Sequence, residues 1–259
     1  MARAQDILAR KAPAADVRIP YGTDANQFAD LRIPTGTGPH PLVINIHGGF
    51  WKAAYDLEHN GHLCEALRRR GVATWSLEYR RIGHKGGGWP GTFEDVRSAA
   101  EYALNLPKNH PIDPSRIVAM GHSAGGHLAL WLASELQWLK GAISLAGVAD
   151  LRKAHALNLS RGIVKDFLGG SPDEVPERYR KASPVEKLPL RKATVLIHGE
   201  KDTIVPIEIA SGYEAAAKAS GDPVKLLALA DTGHFELIDP EAPQWRTVEA
   251  SVLAMLRME

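Results

Sequence analysis

The sequence predicts a three-layer α/β/α sandwich around a mainly parallel sheet, in the α/β fold class. The chain has 259 residues, a length that α/β folds often reach as a single domain. Short apolar runs alternate along it with segments of helical spacing, which is the pattern of repeated βαβ units. Its 44% hydrophobic and 24% charged residues are ordinary globular proportions and argue against a disordered or fibrous chain.

Strands are predicted where short β-branched or alternating runs stand between turn residues. The run at 42–46 is mostly β-branched, as is typical of a strand buried on both faces. The predicted strands cover residues 17–19, 28–33, 42–46, 72–79, 116–120, 141–145, 194–197 and 225–229.

Helices are predicted between these strands, where apolar residues recur at helical spacing. Gly71 is a stop signal for the first helix. Thr92, with Asp95 three residues later, is close to the capping-box pattern and is predicted to open the second helix. The predicted helices cover residues 57–70, 92–106, 124–135, 206–220 and 244–257.

Residues 151–190 interrupt this alternation. They lie between two predicted core strands, are rich in charge, and contain Gly169, Gly170 and several prolines. An insertion at the carboxyl end of a strand is well placed to cap a cleft, although a surface loop with two helical turns has the same sequence pattern. We predict one domain over residues 1–259, with 151–190 as a small cap.

Composition and charge exclude several classes of function. The chain has 31 Lys and Arg against 30 Asp and Glu, a formal net charge of +1, so it has no field suited to nucleic acid. Its one cysteine, Cys64, excludes an internal disulfide framework and is predicted to be a buried core thiol. Neither a secretory signal nor a membrane span is expected from the apolar runs, so a soluble, cytoplasmic protein is predicted.

No metal or other cofactor is predicted. His59 and His62 stand three residues apart on a predicted helix, a spacing that two metal ligands can use, but no third ligand lies near them in the sequence. The glycine-rich stretch at 121–126 does not match the Gly-x-Gly-x-x-Gly pattern of dinucleotide-binding proteins.

A Gly-x-Ser-x-Gly sequence at 121–125 is the strongest functional signal. It stands between an apolar strand and an apolar helix, the setting of a nucleophile elbow, in which the serine occupies a strained turn. The amino end of the helix then directs partial positive charge at an oxyanion formed on Ser123. His122, inside the motif, is expected to pack beneath the turn.

A nucleophilic serine needs a base and an orienting acid, because a free hydroxyl is almost wholly protonated at neutral pH. Asp202 follows the predicted strand 194–197, and His234 follows the strand 225–229. The loops after parallel strands share one edge of a sheet, so both side chains should lie near Ser123. We predict Ser123 as nucleophile, Asp202 as acid and His234 as base.

The sequence contains other acids that could take the role assigned to Asp202. Asp150 also follows a core strand and stays open as an alternative. Asp231 and Glu236 are too close to His234 in sequence to orient its ring easily.

The sequence His-Gly-Gly-Phe-Trp at 47–51 follows the strand 42–46. A Gly-Gly turn beyond a core strand can direct backbone N–H groups into a cleft, where they stabilise a developing oxyanion.

Together these residues resemble the α/β-hydrolase fold over almost the whole chain. The 47–51 sequence resembles the HGGxW motif of kynurenine formamidases and of a related group of small bacterial esterases. That resemblance implies an oxyanion hole formed by the N–H groups of Gly49, Phe50 and Ala124. The His-Gly-x-x-Asp-x-x-Val-Pro stretch at 198–206 is similar to prolyl-oligopeptidase-like hydrolases, many of which carry an additional propeller.

The predicted activity is that of a serine carboxylic-ester hydrolase, a carboxylesterase that cleaves small acyl esters through an acyl-enzyme. The alternatives are an arylformamidase acting on N-formylkynurenine, a peptidase-like acyl hydrolase, and a binding protein without activity. The expected partner is therefore a small-molecule ester or formamide substrate, and the oligomeric state is left open. Four aromatic residues near the motifs or in the predicted cap are candidates for its pocket, each with core packing as the other interpretation: Trp51, Trp89, Phe167 and Phe235.

Overall fold

The computed structural model describes residues 4–257 and contains the predicted three-layer sandwich. All eight strands found in this range belong to one sheet. The strands are β1 (Val17–Pro20), β2 (Phe28–Arg32), β3 (His40–Ile46), β4 (Ala73–Leu77), β5 (Ile112–His122), β6 (Gly141–Leu145), β7 (Ala193–Gly199) and β8 (Val224–Leu229).

The sheet has the order β1-β2-β4-β3-β5-β6-β7-β8. β1 pairs antiparallel with β2, and β2 pairs antiparallel with β4. All later pairings are parallel, as the sequence predicts. The carboxyl ends of β3, β5, β7 and β8 therefore meet at one edge of the sheet, and the loops that carry the candidate site residues begin there.

Helices cover both faces of this sheet and bury two separate cores. Residues of α1 and α8 pack on one face, and residues of α2, α3 and α7 pack on the other. None of the helices within residues 4–257 is long and apolar enough to cross a membrane. The helices are α1 (Gly61–Arg69), α2 (Gly91–Tyr102), α3 (Ala124–Glu135), α4 (Leu151–Ala156), α5 (Ile163–Leu168), α6 (Pro176–Ala182), α7 (Glu208–Ala219) and α8 (Trp245–Arg257).

The predicted opening of α2 is wrong in detail. The helix begins at Gly91, and the Thr92 hydroxyl donates a hydrogen bond of 2.6 Å to the Arg80 carbonyl instead of capping the helix. Asp95 accepts from the Arg80 guanidinium at 2.7 and 2.8 Å. Both side chains hydrogen-bond to Arg80, which follows β4, so tertiary contacts override the local capping pattern. Cys64 is fully buried, as predicted, and burial raises the pKa of its thiol.

Segment 151–190 contains α4, α5 and α6 and packs onto the core of the α2–α3 face. Leu151, Phe167 and Tyr179 are fully buried there. The His127 ring of α3 and the Ala182 carbonyl of α6 are joined by a hydrogen bond of 2.9 Å. The segment is therefore a packed part of the domain, with apolar side chains that anchor it against the sheet.

Candidate active site

Ser123 occupies the sharp turn between β5 and α3. Its φ and ψ are +56° and −119°, a left-handed conformation that costs a non-glycine residue on the order of 1–3 kcal/mol. The turn is held from below, since the Ser123 N–H donates to the Leu145 carbonyl at 2.8 Å. A Cβ on Gly125 would lie 2.0 Å from the Ile46 carbonyl oxygen, so only glycine lets α3 start this close to β3.

Asp202 and His234 form a buried carboxylate–imidazole pair. His234 Nδ1 lies 2.6 Å from Asp202 Oδ2, and both residues are less than a tenth exposed. The other carboxylate oxygen accepts the N–H groups of Ile204 and Val205 at 2.8 and 2.9 Å. Because the carboxylate only accepts, Nδ1 carries the proton and Nε2 is left as a base.

His198 gives Asp202 a second imidazole neighbour. Its Nε2 donates to the Val205 carbonyl at 2.8 Å and lies 3.4 Å from Asp202 Oδ2. Burial by itself raises the pKa of Asp202, but the hydrogen bonds from His198 and His234 outweigh it, so the pKa lies well below its usual value. Asp202 is consequently a carboxylate over the working pH range, as an orienting acid must be.

His122 supports the backbone of the same loop. Its Nε2 donates to the His234 carbonyl at 2.9 Å, and the centroids of the two rings are 4.5 Å apart. Burial, with the nearby His234 ring, lowers the pKa of His122 well below its usual value. A neutral, buried His122 thus holds the backbone of His234 in position.

The turn at residues 47–50, which we call the 47–50 turn, lies directly against Ser123. A Cβ on Gly48 would stand 3.0 Å from Ser123 Cβ. Gly49 has φ +107°, and a Cβ there would meet Tyr55 Cβ at 2.4 Å. Among residues 4–257 no acceptor is found for the N–H groups of Gly49, Phe50 and Ala124, so these donors are free for a ligand.

A cavity of about 100 Å³ joins these groups, and we call it the Ser123 cavity. Within the described chain, no hydrogen bond links the Ser123 hydroxyl to the His234 ring. Such bonds are often long in substrate-free sites and tighten only with substrate. The cavity is lined by Leu8, Gly49, Phe50, Tyr55, His59, His122, Ser123, Ile204, His234 and Phe235.

Only one of the four predicted pocket aromatics, Phe235, lines the Ser123 cavity. Trp51 and Phe167 are fully buried and stack on each other with centroids 4.3 Å apart. Trp89 packs against Phe93 on the same core, with centroids 5.1 Å apart. The pocket assignment of Trp51, Trp89 and Phe167 is therefore wrong, because the large aromatic surfaces that the sequence places near the motifs are used to build the core.

No residue of segment 151–190 lines the Ser123 cavity either, contrary to the predicted cap. The cavity is instead bordered by Leu8, from a short 3-10 segment at Ala4–Leu8, and by Tyr55. Both side chains are about two-fifths exposed. No local pattern in the sequence marks either residue, since their positions depend on contacts between distant parts of the chain.

A second, wider cavity of about 800 Å³ opens beside the first, and we call it the outer groove. It shares Leu8, Tyr55 and His59 with the Ser123 cavity. Charged side chains on its walls include Arg18 and Asp30, which form an ion pair at 2.7 Å. The candidate site therefore consists of a narrow, mostly apolar cavity and a wider groove whose walls carry both charged and apolar side chains.

The alternative acids and the histidine pair have other partners. Asp150 caps α4 by accepting the Lys153 N–H at 2.9 Å, and Asp231 is exposed and paired with Lys201. His59 lines the Ser123 cavity, where burial lowers its pKa to about 3. His62 instead donates to the Arg10 carbonyl at 3.3 Å.

The site thus places Ser123, the carboxylate-supported imidazole of His234 and the turn residues Gly49 and Phe50 around one small cavity, with Ala124 next to Ser123 in the chain. Those are the parts that acyl transfer needs: a group to attack a carbonyl, a group to move the proton, and donors for the oxyanion.

Comparisons with known proteins agree with this chemistry. The model of the prolyl oligopeptidase family matches residues 53–250. A probable isoprenylcysteine alpha-carbonyl methylesterase of Arabidopsis thaliana is 24% identical over 248 residues, covering 85% of this chain and 50% of the plant protein. The kynurenine formamidase of Salmo salar is 25% identical, covering 86% of this chain and 76% of the fish enzyme. The chain spans about half the length of several of these curated relatives.

Among solved structures, a truncated carbohydrate esterase from gut microbiota superposes with a TM-score of 0.84. The two chains are 18% identical, and the match covers 96% of this chain and all of the other. At that identity the likeness establishes the fold, and it confirms the predicted α/β-hydrolase architecture.

Proposed function

The chain belongs to the prolyl oligopeptidase family, and we propose that it is a serine hydrolase that cleaves carboxylic esters with short acyl groups. The observation that carries the proposal is the Asp202–His234 pair at 2.6 Å, which shares one small cavity with Ser123 and the free N–H groups of the 47–50 turn. Serine, imidazole and carboxylate in this arrangement are the working parts of an acyl-transfer enzyme.

In the first half of the reaction Ser123 Oγ attacks the ester carbonyl carbon, and its proton passes to His234 Nε2. The carbonyl oxygen becomes an oxyanion that accepts from Gly49, Phe50 and Ala124 N–H. When this intermediate collapses, the bond to the alcohol oxygen breaks and His234 returns the proton to that oxygen. Asp202 stabilises the imidazolium while it exists, without taking the proton itself.

In the second half a water molecule attacks the acyl-enzyme carbonyl, with its proton taken by His234. The second tetrahedral intermediate uses the same N–H donors. Its collapse breaks the bond to Ser123 Oγ, which recovers its proton from His234, and the carboxylic acid leaves.

The dimensions of the site support a short acyl group. About 100 Å³ is well below the roughly 300–1,000 Å³ of pockets that enclose drug-sized ligands. The outer groove, with about 800 Å³ and walls that combine charged and apolar side chains, is large enough for the alcohol part of the substrate. We therefore propose substrates with a small acyl group on a larger, polar alcohol.

Arylformamidase activity is the second candidate, because a formyl group is the smallest acyl group and fits the same cavity. The 25% identity to the kynurenine formamidase of Salmo salar also favours it. A cytoplasmic location stays a prediction that rests on the single cysteine of the sequence.

Turnover of p-nitrophenyl acetate, p-nitrophenyl octanoate and N-formylkynurenine, measured in parallel, tests these proposals. We expect acetate cleavage to be fast and octanoate cleavage at least tenfold slower. Efficient deformylation with poor ester cleavage would replace the esterase with the formamidase. If Ser123→Ala retained wild-type turnover of whichever substrate is used, the serine mechanism would be wrong.

A further inference from the structure

The 47–50 turn has a backbone that does not hold its conformation unaided. Gly49, Phe50 and Trp51 have φ values of +107°, +49° and +56°, so three consecutive residues lie in the left-handed region. Two of them carry side chains, which makes the conformation strained. Neighbouring contacts must fix the turn, and those contacts determine where its N–H groups point.

His47 supplies the first of these contacts. It is fully buried, and its ring stacks on Tyr79 with centroids 4.5 Å apart. The Tyr79 hydroxyl donates to the His47 carbonyl at 2.9 Å. Tyr79, which lies just beyond β4, therefore holds both the ring and the backbone of His47.

Both ring nitrogens of His47 face oxygen atoms. Nδ1 lies 2.8 Å from the Gly48 carbonyl oxygen, and Nε2 lies 3.1 Å from Glu78 Oε1. A carbonyl oxygen and a carboxylate oxygen accept hydrogen bonds and donate none, so each nitrogen must carry a proton to bond. The contacts fit an imidazolium ring, with a positive charge next to the turn.

Glu78 is the group that holds this charge. It is 2% exposed and accepts the N–H groups of Tyr79 and Leu57 at 2.9 and 3.2 Å, with the Arg81 guanidinium 3.1 Å away. Burial alone raises the pKa of Glu78, but His47 and Arg81 outweigh burial and leave it below its usual value. A buried carboxylate with this many donors stays ionised.

The Gly48 carbonyl and the Gly49 N–H belong to one planar, trans peptide unit, so they point in opposite directions. Fixing the carbonyl on His47 Nδ1 thus directs the Gly49 N–H away from it. We propose that Glu78 and His47 are positioning residues, which orient the Gly49 N–H as a donor to the reaction oxyanion. This inference rests on the proposed function, and it assigns these two residues a part in the same acyl transfer.

The test is Glu78→Gln, which keeps the shape of the side chain and removes its charge. We expect kcat on p-nitrophenyl acetate to fall about 10- to 100-fold with KM changed less than twofold, because an N–H donor to the oxyanion acts in the transition state. The matched control is Asp95→Asn, which neutralises another buried, Arg-paired carboxylate that does not touch the turn. The control should keep the wild-type kcat.

A tetrahedral probe separates positioning from a merely structural role. The compound 1,1,1-trifluoro-2-butanone adds to a serine hydroxyl and places an oxyanion in the donor site. Its inhibition constant should rise in Glu78→Gln by about the factor by which kcat/KM falls, and stay unchanged in Asp95→Asn. A folded Glu78→Gln protein with wild-type kcat and ketone affinity would overturn the proposal. No turnover by the wild-type enzyme would instead count against the proposed function.

Two measurements keep the proposal testable if Glu78→Gln does not fold. Tyr79→Phe removes only the hydroxyl that holds the His47 carbonyl, and kcat should fall several-fold at constant KM. ¹⁵N NMR of the wild-type imidazole rings should show a histidine with both nitrogens protonated at neutral pH that is lost in His47→Asn. A neutral His47 would contradict the inference.

Discussion

Two buried carboxylate–histidine pairs contact different parts of the candidate site, Asp202 through His234, which lines the Ser123 cavity, and Glu78 through His47, which contacts the 47–50 turn. Asp202 binds the ring of His234 at Nδ1, so Nε2 is the nitrogen left for proton transfer, and His234 lines the cavity. Glu78 binds the ring of His47, whose other nitrogen is already used by the Gly48 carbonyl. The first pair therefore provides a base, His234, that can exchange a proton. The second pair instead holds the backbone of the 47–50 turn in place through the Gly48 carbonyl.

The difference shows how one chemical unit serves two purposes. A carboxylate that orients an imidazole by one nitrogen leaves the other as a proton acceptor, whereas Glu78 holds a ring whose two nitrogens both face acceptors. Neutralising either carboxylate should therefore slow catalysis, but the size of the effect and its cause should differ between the two pairs.

The largest effect is expected from Asp202→Asn. The amide donates where the carboxylate accepts, so His234 takes the wrong tautomer and Nε2 no longer accepts the serine proton; a loss of about 10⁴-fold in kcat is expected. Steady-state turnover of p-nitrophenyl acetate measures it. A loss as small as that of Glu78→Gln would remove the distinction between the two pairs.

A substitution of a buried residue outside both pairs is expected to lower the free energy of unfolding strongly and to leave kcat unchanged. Phe167→Ala removes a fully buried ring that stacks on Trp51, and it should lower the free energy of unfolding by about 3–5 kcal/mol. Urea unfolding measures this loss, and kcat of the folded fraction should be unchanged. Phe235→Ala is the comparison, because it should alter KM by several-fold with a smaller loss of stability.

Gly49→Ala disturbs the 47–50 turn directly. The new Cβ would lie 2.4 Å from Tyr55 Cβ, so the turn must move and the Gly49 donor with it; kcat should fall about 10²-fold. Adding Glu78→Gln should cost little more, because both substitutions act on one donor. Additive losses in the double variant would show that Glu78 acts elsewhere.

The smallest effect concerns stability in acid. The pKa values of Asp202 and Glu78 are lower than usual in the folded protein, so the unfolded chain binds protons first as the pH falls through about 4. The stability that these groups contribute is present above that pH and is lost below it. Urea unfolding is measured from about pH 6 to about pH 2, on both sides of the ordinary carboxyl pKa. Over this range the free energy of unfolding should fall less in Asp202→Asn and Glu78→Gln than in the wild-type protein. The surface variant Asp166→Asn is the control, and equal slopes in all proteins would contradict this linkage.

The sequence predicted the fold and that Ser123, Asp202 and His234 lie near one another; Ser123 and His234 line one cavity, and Asp202 contacts the His234 ring. Ser123, Asp202 and His234 each follow a strand, and parallel strands bring such residues to one edge whatever the details of packing. This inference needs only the alternation of elements and the order of the motifs.

The pocket wall was not predictable in the same way. Trp51 and Phe167 are aromatic residues of a kind found both in binding sites and in cores, and only the packed structure shows which role each one has. Leu8 reaches the cavity through contacts with residues far away in the chain. Glu78 could have been noticed in the sequence, because it is a charged residue within the mostly apolar run predicted as strand 72–79. A charged residue is unusual in a strand buried on both faces.

The role of Ser123 as the nucleophile is tested most directly by covalent labelling. The wild-type protein is treated with a fluorophosphonate ester, digested, and examined by mass spectrometry while residual activity is followed. We expect one adduct, on the peptide that contains Ser123, with activity lost in proportion to labelling and no adduct in Ser123→Ala. Activity that persists after complete labelling of Ser123, or an adduct on another residue that tracks the loss of activity, would contradict the account.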